Sequence, residues 1–204
     1  MAARRLTSLD GSRKCKSVKA VLIVIDMLND FFERSATLAA QKSQLVSRTN
    51  ALVRIFRSAG HPVVWVRQEF ARDLHDAFRE MRANNVSITI AGTWGCELLP
   101  ELEQLPQDVV IVKKRYSAFF GTGLDAYLSQ LRPDVLVIAG VNTHACVRTT
   151  AIDAYQRDYD VIIAGECVAS SDPEHHNVTL RYLEGRIARV LATNDLVVAL
   201  GAAI

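Results

Sequence analysis

Six apolar, β-branched runs recur along the chain, at Ala20–Ile25, Pro62–Val66, Val109–Val112, Val135–Ala139, Val161–Ala164 and Ala188–Ala192. They stay apolar throughout instead of alternating with polar residues, which predicts strands covered on both faces. Stretches with helical spacing lie between most of them, which predicts parallel pairing. The expected fold class is α/β: a three-layer α/β/α sandwich around a mostly parallel, about six-stranded Rossmann-like sheet.

The helical stretches have readable ends. Gln44–Ala59 carries Leu45, Val46, Leu52, Val53 and Phe56, then stops at Gly60 before His61-Pro62. Gly123–Leu131 places Leu124, Leu128 and Leu131 on one face before the Arg132-Pro133 break. Thr143–Gln156 and Pro173–Glu184 follow, and Asn194–Leu200 is a candidate last helix. One long span, Glu69–Gln107, has no clear period and is punctuated by Gly92, Gly95 and Pro100. Such an insertion after a strand is expected to shape a substrate pocket.

Composition narrows the function. The chain has 204 residues, and its 24 Lys and Arg are interspersed with 22 Asp and Glu to leave a net charge of +2. No broad basic field exists to draw nucleic acid or a membrane surface, so a small-molecule partner is expected. No apolar run approaches the roughly 20 residues that cross a bilayer. Residues 1–19 are polar and basic, without the apolar core of a secretory signal. Their Arg and Ser content would also suit a transit peptide, but the plainer reading is a flexible arm, which leaves residues 20–204 as a single domain. Cys15, Cys96, Cys146 and Cys167 show no CxxC spacing and suit a reducing compartment, so a cytoplasmic location is expected.

Three polar residues stand at the downstream ends of predicted strands: Asp26 after β-run Val21–Ile25, Lys113 after Val109–Val112, and Cys146 just beyond Val135–Gly140. Ligands of open parallel sheets bind outside those carboxyl ends, so the three are expected to converge. Taken singly, each has a plainer reading: the Asp a helix cap, the Lys a solvated charge, the Cys an inert core residue. Cys146 is the most informative. Gly140-Val141-Asn142-Thr143 forms a tight turn out of a strand, Thr143 can cap the helix that follows, and the thiol then falls in the first helical turn. Amides and the helix dipole there are expected to lower its pKa and to hold an oxyanion. His144, two residues away, should point elsewhere, which makes Asp26 the better base.

These residues lie in segments that resemble a known family. Val21-Leu22-Ile23-Val24-Ile25-Asp26-Met27-Leu28-Asn29-Asp30-Phe31-Phe32 is similar to the opening strand and aspartate segment of isochorismatase-like hydrolases. Lys113-Lys114-Arg115-Tyr116-Ser117-Ala118-Phe119, followed by Gly121-Thr122, resembles their lysine segment. Val137 to Ala154, through Gly140-Val141-Asn142-Thr143-His144-Ala145-Cys146, resembles their nucleophile segment. The resemblance implies a catalytic triad of Asp26, Lys113 and Cys146, selects Lys113 over Lys114, and implies a cis peptide at Val141-Asn142. It also implies oxyanion amides from Ala145 and Cys146. Strand alternation agrees on the lysine, because adjacent residues face opposite sides.

One departure matters as well. Nicotinamidases of this superfamily carry an Asp-x-His metal pair where this chain has Glu69-Phe70-Ala71. No metal and no cofactor are therefore expected, and nicotinamide is disfavoured. The activity expected is hydrolysis of a C–N bond in a small amide, ureido or carbamoyl compound through a thioester. The alternatives are vinyl-ether hydrolysis of the isochorismatase type, or a catalytically silent binding protein of the same fold. Phe31, Gln68, Trp94, Tyr116 and Phe119 are the expected substrate-binding residues, with Phe70 a further candidate. A homo-oligomer, dimer or tetramer, is expected.

Overall fold

A computed structural model of the chain describes residues 18–200. The readings of residues 1–17, including the basic arm and Cys15, lie outside the described residues. Strands β1 (Ala20–Ile25), β2 (Val63–Gln68), β3 (Val109–Lys113), β4 (Val135–Val141), β5 (Asp160–Ala169) and β6 (Arg189–Leu191) form one sheet in the order β3-β2-β1-β4-β5-β6. Every pairing is parallel.

The unbroken apolar runs of β1, β2, β4 and β5 are explained by cover on both faces, while the edge strands β3 and β6 stay partly exposed. Alternate residues of β1 divide between two cores. Leu22 and Val24 pack with Trp65, Val137 and Ile162 under helix α2 (Ala36–Ser58), whose Leu45, Leu52, Val53 and Phe56 face them, and under Leu196 of α7 (Thr193–Ala199). Val21, Ile23 and Ile25 pack with Val64, Leu136 and Ile163 on the other face. There α4 (Leu124–Leu131), α5 (Arg148–Tyr155) and α6 (Pro173–Leu183) supply Leu124, Leu128, Ala151 and Leu183. Each such aliphatic side chain taken from water stabilises the fold by roughly 1.5–3 kcal/mol. The three-layer sandwich expected from the pattern is the one observed.

Three local features differ from expectation. Helix α2 begins at Ala36, eight residues before the predicted Gln44, because Ser35 caps it by accepting from Leu38 N at 3.2 Å. Before Leu45 its only buried residue is Leu38, so the early turns were not visible as a stripe. Strand β5 runs five residues past Ala164, through Gly165 and Glu166, which interrupt its apolar run. Two short helices, α1 (Asn29–Glu33) and α3 (Arg79–Ala83), were not predicted. Among the described residues no helix is long and apolar enough to cross a membrane.

Candidate active site

Asp26 is the first residue beyond β1, with φ at +53°, a left-handed conformation that Asp tolerates better than most residues. Its N–H donates to Val66 O at 2.8 Å, which fixes the chain as it leaves the sheet. Lys113 is the last residue of β3 and pairs in register with Gln68 of β2. Cys146 lies past β4, in a five-residue π-helical turn, Thr143–Val147, that runs into α5. Gly140 makes that arrangement possible. Its φ is +111°, and a Cβ there would stand 2.0 Å from Ile25 O, so only glycine lets β4 approach β1 this closely.

The structure brings the three residues together. Lys113 Nζ lies 2.7 Å from Asp26 Oδ2 and donates to Cys146 Sγ at 3.3 Å and to Arg115 O at 3.0 Å. Asp26 Oδ1 accepts from Gln68 N at 2.8 Å, while Oδ2 has the ammonium beside it and no directed hydrogen bond among the described residues. Asp26 and Lys113 are wholly buried and Cys146 nearly so. Lys114 turns outward to pair with Asp76 at 3.0 Å, as alternation along the strand requires.

The electrostatics correct one expectation. Burial pushes the Cys146 thiol well above the usual thiol range, and the Asp26 carboxylate pushes it further, while Lys113 pulls it only part of the way back. The thiol is therefore held protonated at rest, not as the thiolate expected from a helix start. The local helix differs too: the turn is π rather than α. Thr143 does not cap it, because Thr143 Oγ1 donates instead to Ala169 O at 2.9 Å. Burial lowers the Lys113 pKa, but Asp26 and Cys146 more than offset it, so the lysine stays charged.

The peptide between Val141 and Asn142 is cis, as expected. Of the two expected oxyanion amides, Ala145 N already donates to Asn142 O at 3.1 Å. His144 turns away from the thiol, with Nδ1 2.6 Å from Ser170 Oγ.

A cavity of about 260 Å³ opens above the cluster, with Asn142, Ala145 and Cys146 at its base. Phe31, Gln68 and Tyr116 line it, as expected, and Gln68 Nε2 is buried without a partner among the described residues. Trp94 and Phe119 do not line it. Trp94 is about half exposed and donates to Glu33 Oε1 at 3.0 Å. Phe119 is core, stacked on Tyr159 and covered by Arg157, because the segment after Lys113 turns back over α5 where Ala118 N donates to Thr150 Oγ1. Phe70 is fully buried in a small satellite core with Leu74, Ala77 and Ile90.

Sequence reasoning missed Phe78, Glu80 and Met81, which come from α3 and the residue before it and complete the wall. The aperiodic span that carries them gave no signal beyond its length. A larger hollow along α2, by Lys42 and Glu101, carries no reactive cluster.

The segment Glu69-Phe70-Ala71, where the sequence departs from an Asp-x-His pair, has its one carboxylate engaged. Glu69 is paired with Arg67 at 2.9 Å, and Ala71 has no donor side chain. Among the described residues no group of three His, Cys, Asp or Glu could hold an ion.

The fold is a parallel α/β sandwich with a buried Asp-Lys-Cys cluster at its strand ends. The model of the Isochorismatase domain family matches residues 20–195, and the chain belongs to that family, as an isochorismatase-like hydrolase. It is 37% identical over 166 residues to an Arabidopsis thaliana protein called a probable inactive nicotinamidase, covering 78% of this chain and 85% of the relative. It is 28% identical to the ureidoacrylate amidohydrolase RutB of Methylobacterium radiotolerans, over 80% of this chain and 72% of that one. The crystal structure of N-carbamoylsarcosine amidase from Thermoplasma acidophilum superposes with a TM-score of 0.71 at 30% identity, covering 86% of this chain and 96% of that one.

Proposed function

We propose that the protein is a cysteine amidohydrolase that cleaves a C–N bond of a small amide, ureido or carbamoyl compound, with Cys146 as nucleophile, Asp26 as proton carrier and Lys113 as its electrostatic partner. The observation that carries this reading is the thiol 3.3 Å from a buried ammonium that is itself 2.7 Å from a buried carboxylate, at the base of a cavity. Amidohydrolases among the relatives support it.

In this reading Asp26 takes the proton from Sγ as the sulfur attacks the carbonyl carbon. The proton pathway runs over a short distance inside a dry site, so the thiolate exists only as it reacts. Lys113 offsets the negative charge that passes between sulfur and carboxylate. The amides of Ala145 and Cys146 receive the oxyanion, with Ala145 exchanging its bond to Asn142 O. Collapse breaks the C–N bond, Asp26 returns the proton to the leaving nitrogen, and ammonia or an amine departs. Water then attacks the thioester, gives a proton to Asp26, and releases the acid while that proton returns to sulfur. Residues 20–204 would act as one catalytic domain, in a cytoplasmic homo-oligomer.

Trapping tests this directly. Incubation with an activated amide or ester should add one acyl group to Cys146, seen by peptide mass spectrometry. Turnover of the same compound without any acyl adduct, even after rapid acid quench, would remove the thioester from the mechanism.

A further inference from the structure

The cavity above Cys146 has an unusual charge balance. Its base and walls include one charged side chain, Glu80, in the first turn of α3. The remaining polar groups are neutral. Gln68 offers a buried, unpartnered Nε2, and Asn142 uses its Oδ1 to accept from Ser171 N at 2.8 Å. Burial lowers the pKa of His144 below the usual histidine range, an effect that His175 reinforces and Asp172 opposes, so the ring is neutral near pH 7. The rest of the wall is Phe31, Phe78, Met81 and Tyr116.

No lysine or arginine lines the cavity. Lys113 Nζ donates to Cys146 Sγ and Arg115 O and lies against the Asp26 carboxylate, beneath the cavity. Arg115 donates to the carbonyls of Asp76 and Lys114 and lies over the Phe78 ring at 5.0 Å. Lys114 pairs with Asp76 and Arg34 with Asp30. A carboxylate placed in this cavity would shed water without gaining a counter-ion and would face Glu80 besides. An ammonium would find Glu80 and three aromatic faces.

We propose that the cavity excludes carboxylate-bearing substrates and takes uncharged or cationic amides with a flat apolar body, and that Glu80 sets this preference. This deepens the amidohydrolase reading and rests on it for the word substrate, but the charge preference belongs to the cavity itself. It also separates this chain from any hydrolase acting on a dianionic vinyl ether.

The test uses the full chain with Cys15, Cys96 and Cys167 replaced by Ser. Cys146 is labelled with two methanethiosulfonate reagents, one ending in trimethylammonium and one in sulfonate. Each rate is divided by that for β-mercaptoethanol under the same conditions. The normalised ratio should favour the cation by about tenfold, the scale expected for one carboxylate acting across a partly dry cavity. Glu80→Gln should bring the ratio to within about threefold of unity, and Glu80→Lys should invert it. Equal rates in the parent chain, preference for sulfonate, or a ratio that Glu80→Gln and Glu80→Lys leave unchanged would overturn the proposal. In parallel, ammonia release is followed from benzamide and from its para-carboxylate and para-aminomethyl derivatives. If the labelling ratio holds but no amide is turned over, it is the amidohydrolase reading that fails.

Discussion

The strand ends and the excursion between β2 and β3 build the two halves of the same cavity by different means. Asp26 directly follows β1, Lys113 ends β3 and Cys146 lies past the end of β4, and their positions follow from sheet register and from the β1–β4 approach at Gly140. Phe78, Glu80 and Met81 sit on a five-residue helix in a span with little regular structure. That span is held by a small satellite core and by bonds to the segment that follows Asp26. Thr89 N donates to Asp30 Oδ2 at 2.6 Å, Asn29 Nδ2 to Trp94 O at 3.0 Å, and Leu99 N to Met27 O at 2.8 Å. The contrast teaches where change is tolerated. Asp26 and Cys146 follow central strands whose movement would cost the whole core, and Lys113 ends an edge strand paired to one of them, whereas the wall can be rebuilt by local substitutions.

The comparison breaks most sharply at the nucleophile. Cys146→Ala should reduce turnover at least about a thousandfold while thermal unfolding stays close to that of the parent chain. Residual activity above about one hundredth would place the reacting group elsewhere.

Next comes the lysine. Lys113→Met should lower kcat/KM about a hundredfold and cost about 3 kcal/mol in denaturant unfolding, because it leaves Asp26 buried without its cation. The sign on the thiol is fixed. Lys113 is the group that pulls the Cys146 pKa down, so its loss moves the thiol further up. At any pH below that value the thiolate fraction falls, and iodoacetamide labels Cys146 more slowly. Lys114→Met should change neither quantity beyond about twofold. The reverse result would shift the register of β3 by one residue.

Gly140→Ala probes the rigid half without touching a reacting group. It should cost about 2–3 kcal/mol in unfolding free energy, since a Cβ would overlap the backbone of Ile25. A variant as stable as the parent chain would mean that β4 can move away from β1 freely.

Phe78→Ala probes the other half. Its ring lies 4.9 Å from Tyr116 and 6.0 Å from Phe70, so its loss should widen the cavity, raise KM about tenfold and leave kcat within about threefold. A selective fall in kcat would bring the excursion into the chemistry. The smallest effect is expected from chelators. With Glu69 committed to Arg67 and no histidine at residue 71, activity should change by less than about twofold.

The same contrast explains what could be read from sequence. The four central strands were legible because burial on both faces forces an uninterrupted apolar run, the partly exposed edge strands β3 and β6 were legible as shorter β-branched stretches, and the three reactive residues were legible because each closes or follows such a run. Strand β5 was underestimated where Gly165 and Glu166 break the pattern. Glu166 is held at the sheet margin by accepting from Thr193 N, a tertiary contact that no local pattern encodes. Phe119 looked like a pocket residue because it follows the lysine segment, yet the chain reverses and buries it. The direction of the Cys146 shift was misread because a helix start was weighed without the degree of burial. Phe78, Glu80 and Met81 were invisible because their place depends on how an aperiodic span folds over the sheet.

Strand β3 is the margin of the sheet, bonded to β2 on one side only. Its final residue supplies the ammonium at the centre of the cluster. Unpairing five residues at a margin exposes far less surface than melting the core, so this opening lies low on the ladder of local unfolding events. Each time β3 frays, Lys113 leaves and a carboxylate and a thiol are left facing one another in a dry site. In mild denaturant the chain would thus pass through a state with its helices and other five strands intact and its reactive centre dismantled, and amide hydrogen exchange at Ile111–Lys113 would report it.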